Sequence, residues 1–501
     1  MAEVKKILLR SLCWSIIIGF CILAAIWPLA FVVRAAIVKS SPGEEAITAA
    51  IRLSLIEAIG SAILATVWGS GAALGTRFLP DPFRQLATVL CLCPIAIPPF
   101  IVASCLRSFA GSSANILVGP LPVIAVFAFS LAPLAYFSAR STLQTIRPDQ
   151  LDQARILGLS NWQVFRLVIS RPLLVSIPLS LGVTFSLALS DPLVPDLVGG
   201  KTMNAAHSLW LRSTGSFETA FLGRASLVLI GLCLCVAGML IGLYFTTYRR
   251  FFPASSLGER SFSLGPARPL PLLAVTLYAA ASACLLLYLL LHARFSFDKL
   301  ESVINTWLLS AFAAGLCLMV LAATRGVGAK RRNLGVEALF IVILSLPGAA
   351  IGAGWMLSRQ QGLPWPFSSG GFLSLCSFLL IGMPVTYFLA ARFRAIGQAE
   401  FESVKVLGVG RVEAALKILL PAVRRYFSLT LATVVAISTT LSAPLMWVAA
   451  PDTPVVVPQM FAMVDEANYA PAFGLTLAVL IVSILLFILV PKEEGKWNRP
   501  R

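Results

Sequence analysis

Charge is scarce in this sequence: Asp, Glu, Lys and Arg together make up 12% of 501 residues, and only 22 are acidic. Histidine is scarcer still, at two residues. Two imidazoles and no clustered carboxylates leave little for catalysis, which sets a membrane-embedded enzyme aside. With 58% apolar residues and a mean hydropathy of +0.88, the chain also lacks the polar residues that a water-solvated surface requires. It is a bilayer protein.

The ten cysteines (13, 21, 91, 93, 105, 233, 235, 284, 317 and 376) all fall within apolar runs. Cys91-x-Cys93 and Cys233-x-Cys235 have no histidine beside them, and residues two apart on a helix face different ways. They read as small buried hydrophobes. Apolar runs long enough to cross a bilayer lie near 12–38, 50–75, 86–108, 121–139, 173–190, 221–246, 270–292, 303–323, 336–358, 371–390, 426–447 and 472–490. The sequence thus predicts an all-α polytopic membrane protein of about twelve transmembrane helices. The first run is too long for the core of a signal peptide and reads as a retained span.

A formal charge of +17 invites a nucleic-acid reading, but the distribution of basic residues argues otherwise. If the N-terminus is inside, the inward loops hold about three-quarters of the Lys and Arg residues, as the positive-inside rule requires. Both termini are then cytoplasmic, and no nucleic-acid partner is needed.

The chain repeats itself. Thr76-Arg77 recurs as Thr324-Arg325, Pro98 as Pro347, Pro133-x-x-Tyr136-Phe137 as Pro384-x-x-Tyr387-Phe388, and Leu189-Ser190-x-Pro192-Leu193 as Leu441-Ser442-x-Pro444-Leu445. The offsets stay between 248 and 252 residues. Each half has an even number of spans, so the halves share one orientation, as two parallel six-helix repeats. The expected organisation is a first transmembrane half at 1–247, a short Pro-, Ser- and Gly-containing cytoplasmic linker at 248–269, and a second half at 270–501.

Within each half one inward loop stands out, LDQARILGLSNWQVFRLVISRP at 151–172 and FESVKVLGVGRVEAALKILLP at 401–421. Leu151, Ala154 and Leu157, like Phe401, Val404 and Leu407, form an apolar stripe at helical spacing, flanked by the acid–base pairs Asp152/Arg155 and Glu402/Lys405. Gly158 and Gly408 end each short helix where a left-handed residue fits. Ser160-x-x-Gln163 has the form of a capping box for a second helix, and Pro172 and Pro421 mark the start of the next span. Each loop reads as an amphipathic helix–turn–helix outside the membrane.

At these residues the chain resembles the permease subunits of binding-protein-dependent ABC importers, whose cytoplasmic loop carries the EAA motif, E-A-A-x(3)-G-x(9)-I-x-L-P. Glu402, Gly408, Ile418, Leu420 and Pro421 match it in register, with Ser403 and Val404 in place of the alanines. The first copy matches at Asp152 (for Glu), Ala154 and Gly158, while Pro172 falls one residue late and Arg171 takes the motif position. Two six-span halves in one chain are similar to the fused permeases of the thiamine and ferric-iron importers.

The resemblance implies that each loop is a coupling helix docked on one subunit of a separate ABC ATPase homodimer. It implies further that an extracytoplasmic binding protein delivers the solute and that the chain lies in a bacterial inner membrane. No cofactor or metal is expected. The fragment Gly199-Gly200-Lys201-Thr202 has Pro195 where a phosphate loop needs its first Gly, so ATP chemistry belongs to the partner. The alternative is a twelve-span secondary carrier, which has the same parallel halves but needs membrane-embedded carboxylates for its coupling ion.

No substrate-contact residue is legible. Pro94, Pro98, Pro99, Pro133, Pro347 and Pro384 either kink spans or free carbonyls toward a cavity. Glu57, Arg52 and Arg107 read as snorkelling near span ends, and His207 and His292 as lone interfacial histidines.

Overall fold

The computed structural model describes residues 22–37, 44–111, 118–143, 148–200, 203–215, 218–251, 269–295, 299–325, 334–391 except 363 and 366, 430–438 and 442–488, with positions 15, 19, 146 and 428. Among them the regular structure is helical, and pairing in the β manner is limited to a single bridge between Ala450 and Thr453. In the first half, a wide turn at Ile22–Ile26 leads into α1 (Trp27–Ile37). There follow α2 (Glu44–Gly75), α3 (Asp81–Leu92), α4 (Pro99–Ala110), α5 (Pro120–Leu143) and α6 (Pro148–Ile156). The half closes with α7 (Asn161–Ser190), α8 (Leu193–Val198), α9 (Ala205–Thr214) and α10 (Thr219–Phe251). The second half runs through α11 (Pro269–His292), α12 (Leu300–Arg325), α13 (Leu334–Ser345), α14 (Gly348–Gln360) and α15 (Gly370–Ala391). Helical residues 430–438 come next, then α16 (Ser442–Val448), α17 (Val456–Asp465) and α18 (Tyr469–Ile488).

Eight of the described helices are long and apolar enough to cross a membrane, or ten if each of two bent pairs is one span. The chain is an all-α, multi-pass membrane protein. The expected runs at 12–38 and 426–447 lie partly outside the described residues. Helix α10 continues through Phe251, four residues into the segment read as a linker; 252–268 lie outside the described residues.

Two of the apolar runs in which proline is expected to kink the span or free carbonyls are sharply broken. The apolar run at 86–108 bends by 98° between Ala96 and Pro99, and that at 336–358 bends by 77° between Ser345 and Gly348. The cause is proline, which has no N–H to donate and starts helices well. Pro98 and Pro347 sit in extended conformation at the helix N-caps (ψ 139° and 121°). The two breaks are copies bond for bond. Ile97 N–H donates to the Pro94 carbonyl and Leu346 N–H to that of Ile343, both at 3.2 Å. Ile101 N–H donates to Pro98 O at 3.0 Å and Ala350 N–H to Pro347 O at 3.1 Å.

The halves clasp each other reciprocally. After its break, α4 packs against α11 and α18 of the second half, while α14 packs against α1 and α10 of the first. Helix α2 turns a stripe of small residues inward (Ser54, Ala58, Ala62, Ala65, Ala72) and leaves Ile56, Ile59, Ile63 and Val67 exposed, the arrangement that suits packing within lipid. At Gly69 the helices come close, and an added Cβ would strike the Ala132 carbonyl oxygen and the Tyr136 backbone nitrogen of α5.

Candidate functional site

The loop at 148–164 has the expected local geometry. Leu151 and Ala154 of α6 are buried. Gly158 takes φ +70° and closes the helix, with Leu157 N–H donating to Gln153 O at 3.0 Å and Leu159 N–H to Ala154 O at 3.1 Å. Nothing lies within 4 Å of where a Cβ at Gly158 would stand, so backbone conformation alone calls for glycine there. The capping box is complete: Gln163 N–H donates to Ser160 Oγ at 3.4 Å and Ser160 N–H to Gln163 Oε1 at 2.8 Å.

Three details depart from the sequence reading. Leu157, expected on the buried stripe, is 76% exposed, because the chain leaves the helix at Gly158 and turns it outward. The second helix is not separate: α7 runs from Asn161 through a wide turn at Phe165–Ile169 into the span, and Pro172 lies inside it. Pro172 is tolerated there because it falls in the first turn after the wide segment, where regular α-helical bonding resumes at Ser170 and a missing N–H matters least. Finally, Ile156 (84% exposed), Leu157 and Trp162 (61%) are apolar side chains left exposed on this loop, and Trp162 stacks on Phe165 with ring centroids 5.6 Å apart. Asp152 is exposed on the same short helix. The second loop, with Glu402, Gly408, Ile418, Leu420 and Pro421, lies outside the described residues.

Between the halves is a cavity of about 80 Å³, room for a few waters. Its walls come in repeat-equivalent pairs: Ile97 with Leu346, Leu134 with Val385, and Asp191 with Ala443. The cavity therefore lies where the two copies meet, against both proline breaks. Asp191 departs from this symmetry as a buried carboxylate. Its Oδ1 accepts the N–H groups of Leu193 (2.8 Å) and Val194 (3.4 Å), holding the start of α8 beside the cavity.

Sequence reasoning missed a second polar site. Glu57, expected to snorkel, is buried on α2, and Asn204 Nδ2 donates to its Oε2 at 2.9 Å. The helix starts at Glu44, before the apolar run, so Glu57 sits well inside it. His207, expected to be alone, is buried with Nε2 3.2 Å from Asp196 Oδ1. Arg52 and Arg107 are exposed, as snorkelling requires. His292 is exposed and stacks on Tyr288 with centroids 4.2 Å apart.

The described helices thus hold two matching broken pairs against one cavity, and a loop at 148–164 that exposes apolar side chains. Residues 65–250 match the family described as "Binding-protein-dependent transport system inner membrane component". Over that segment, a little more than a third of its length, the chain is similar to the membrane components of binding-protein-dependent transport systems. No curated protein and no solved structure matches it.

Proposed function

We propose that the chain is a fused permease in which residues 1–247 and 270–501 form two equivalent halves joined by the segment 248–269. A small solute delivered by an extracytoplasmic binding protein passes along the axis between them. Work comes from a separate ATPase, a homodimer, each subunit gripping one inward loop. The observation that carries this reading is the loop at 148–164, where a left-handed Gly158 and a closed capping box hold Ile156, Leu157 and Trp162 exposed on a rigid turn. Because α7 continues from that turn into the span, a push on the loop reaches the membrane without a hinge at Pro172.

The repeat supports a matching role for Glu402, Gly408, Ile418, Leu420 and Pro421 on a second subunit. Asp152, Ala154, Gly158 and Pro172 serve the first. The axial cavity is too small for a solute larger than a few waters, which fits a closed conformation, and alternating access requires the halves to rock about it. Both termini face the cytoplasm in this arrangement.

Reconstitution of the chain with its ATPase and binding protein tests the reading. Solute uptake should require all three and ATP. Uptake by the chain alone, driven by an ion gradient, would favour the secondary carrier instead.

A further inference from the structure

Helices α9 and α17, each the last short helix before a long apolar one, share the hydrogen bond that secures their start, but only α9 is surrounded there by ionisable groups. In the first half Ser54 Oγ accepts the Ala205 N–H at 2.7 Å; in the second, Thr306 Oγ1 accepts the Val456 N–H at 2.9 Å. Around the first bond stand Glu57, Asn204, His207 and Asp196; their repeat partners are Leu309, Val455, Pro458 and Val448. The second half thus builds the same junction from apolar residues. The fold does not need the polar set.

That set is also incomplete. Glu57 is 1% exposed and its Oε1 has no hydrogen-bond partner. Asn204 bridges inward: its Nδ2 donates to Glu57 Oε2, and its Oδ1 accepts the His207 N–H at 2.8 Å. His207 Nδ1 has no partner, and its Nε2 sits at ion-pair distance from Asp196 without hydrogen-bond alignment. Side-chain exposure falls from 28% at Asp196 to 7% at His207, and Glu57 lies deepest. The three form a graded path from surface to interior. A carboxylate buried in this way, without a paired cation, costs several kcal/mol unless it is neutralised.

We propose that Glu57, His207 and Asp196 form a proton-binding site whose occupancy latches α9 to α2. With a proton on the Glu57–His207 pair, the buried charge is compensated and the junction stays closed. Removing it leaves a bare carboxylate that draws water in and loosens α9. The titratable groups on the elements packed most extensively against α2 are Arg77 (on the short turn Thr76–Phe78), Tyr136 and Arg140 (α5), Arg166 and Arg171 (α7), His207 and Arg212 (α9), and Tyr278, Cys284, Tyr288 and His292 (α11). Of these, His207 is the one linked to Glu57 by hydrogen bonds, through Asn204. Arg212 is paired with Glu218 at 2.8 Å. That the site faces the outside, and so reads external pH, rests on the topology proposed above.

Amide exchange in the full chain, reconstituted in lipid nanodiscs, tests the site independently of transport. Between about pH 5.5 and pH 8, across the range in which histidine and shifted carboxylates titrate, exchange in α9, corrected for its chemical rate, should rise about five-fold or more. In the same molecules α17 should show no such rise. Glu57→Gln should flatten the α9 response. So should Glu57→Leu combined with Asn204→Val, which installs the side chains that the second half already carries. Equal pH responses in α9 and α17 of the unmodified chain would overturn the proposal, even if neither variant folds; so would a full response in Glu57→Gln.

Discussion

Ser54 Oγ accepts the backbone N–H of Ala205 at 2.7 Å, 151 residues away, and so caps α9 from a neighbouring span. The first N–H groups of a helix have no partner within it, and at a buried junction no water supplies one. Thr306 does the same for Val456 at 2.9 Å. A duplicated protein has kept one solution to one local problem in both copies. Ser54→Ala or Thr306→Val would strand a buried donor at a cost of about 1–3 kcal/mol. Exchange of the Ala205 or Val456 amide should accelerate in the matching variant alone. Unchanged exchange in both would show that these caps are incidental.

Gly69 sets the distance between α2 and α5, which meet backbone to backbone there. Gly69→Leu should push them apart and lower stability by about 1–3 kcal/mol or more. Thermal unfolding of the detergent-solubilised chain would register this as a lower midpoint. Gly71→Ala, which faces only the Ala274 methyl group at 3.2 Å, should shift it far less.

Gly158 isolates backbone strain, since open space surrounds its missing side chain. Gly158→Val therefore clashes with nothing, yet strains the left-handed turn by about 1–3 kcal/mol. Membrane levels should stay normal while ATP turnover uncouples from uptake. Gly408→Val should act at least as strongly, because the second loop keeps the motif's Ile-x-Leu-Pro ending that the first lacks. Normal coupled transport in both variants would reduce the loops to linkers.

Topology is checked by labelling. Single cysteines placed in 191–218 or 448–472 should react with an impermeant reagent added outside, and those in 148–160 only after the membrane is opened. Outside labelling at Leu157→Cys would invert the arrangement.

The sequence made the repeat legible because Pro98/Pro347 and Pro133/Pro384 are residues whose backbone consequences differ from those of any neighbour. The turn at Gly158 and its capping box were legible for the same reason: Gly, Ser and Gln at that spacing have few other uses. Hydropathy could not reveal that 86–108 and 336–358 are bent, because it weighs composition and is blind to direction. Glu57 was misread because its partner Asn204 lies 147 residues on, and local pattern carries no trace of a contact that only the folded bundle makes. His207 was misread likewise, its partner Asp196 lying across the junction between α8 and α9. The axial cavity escaped for a third reason. Its walls, Ile97 and Leu346 among them, are residues that any span would contain.

Whether the inward loop meets an ATPase decides the account. A photo-crosslinking residue at Leu157 and another at Leu407, each in the full chain expressed with its ATPase in native membranes, measures that contact directly. Crosslinks from both positions to the nucleotide-binding subunit, lost when Trp162 is replaced by Asp in the first loop but kept at the second, are the predicted result. Efficient ATP-driven uptake with no crosslink from either position would contradict it.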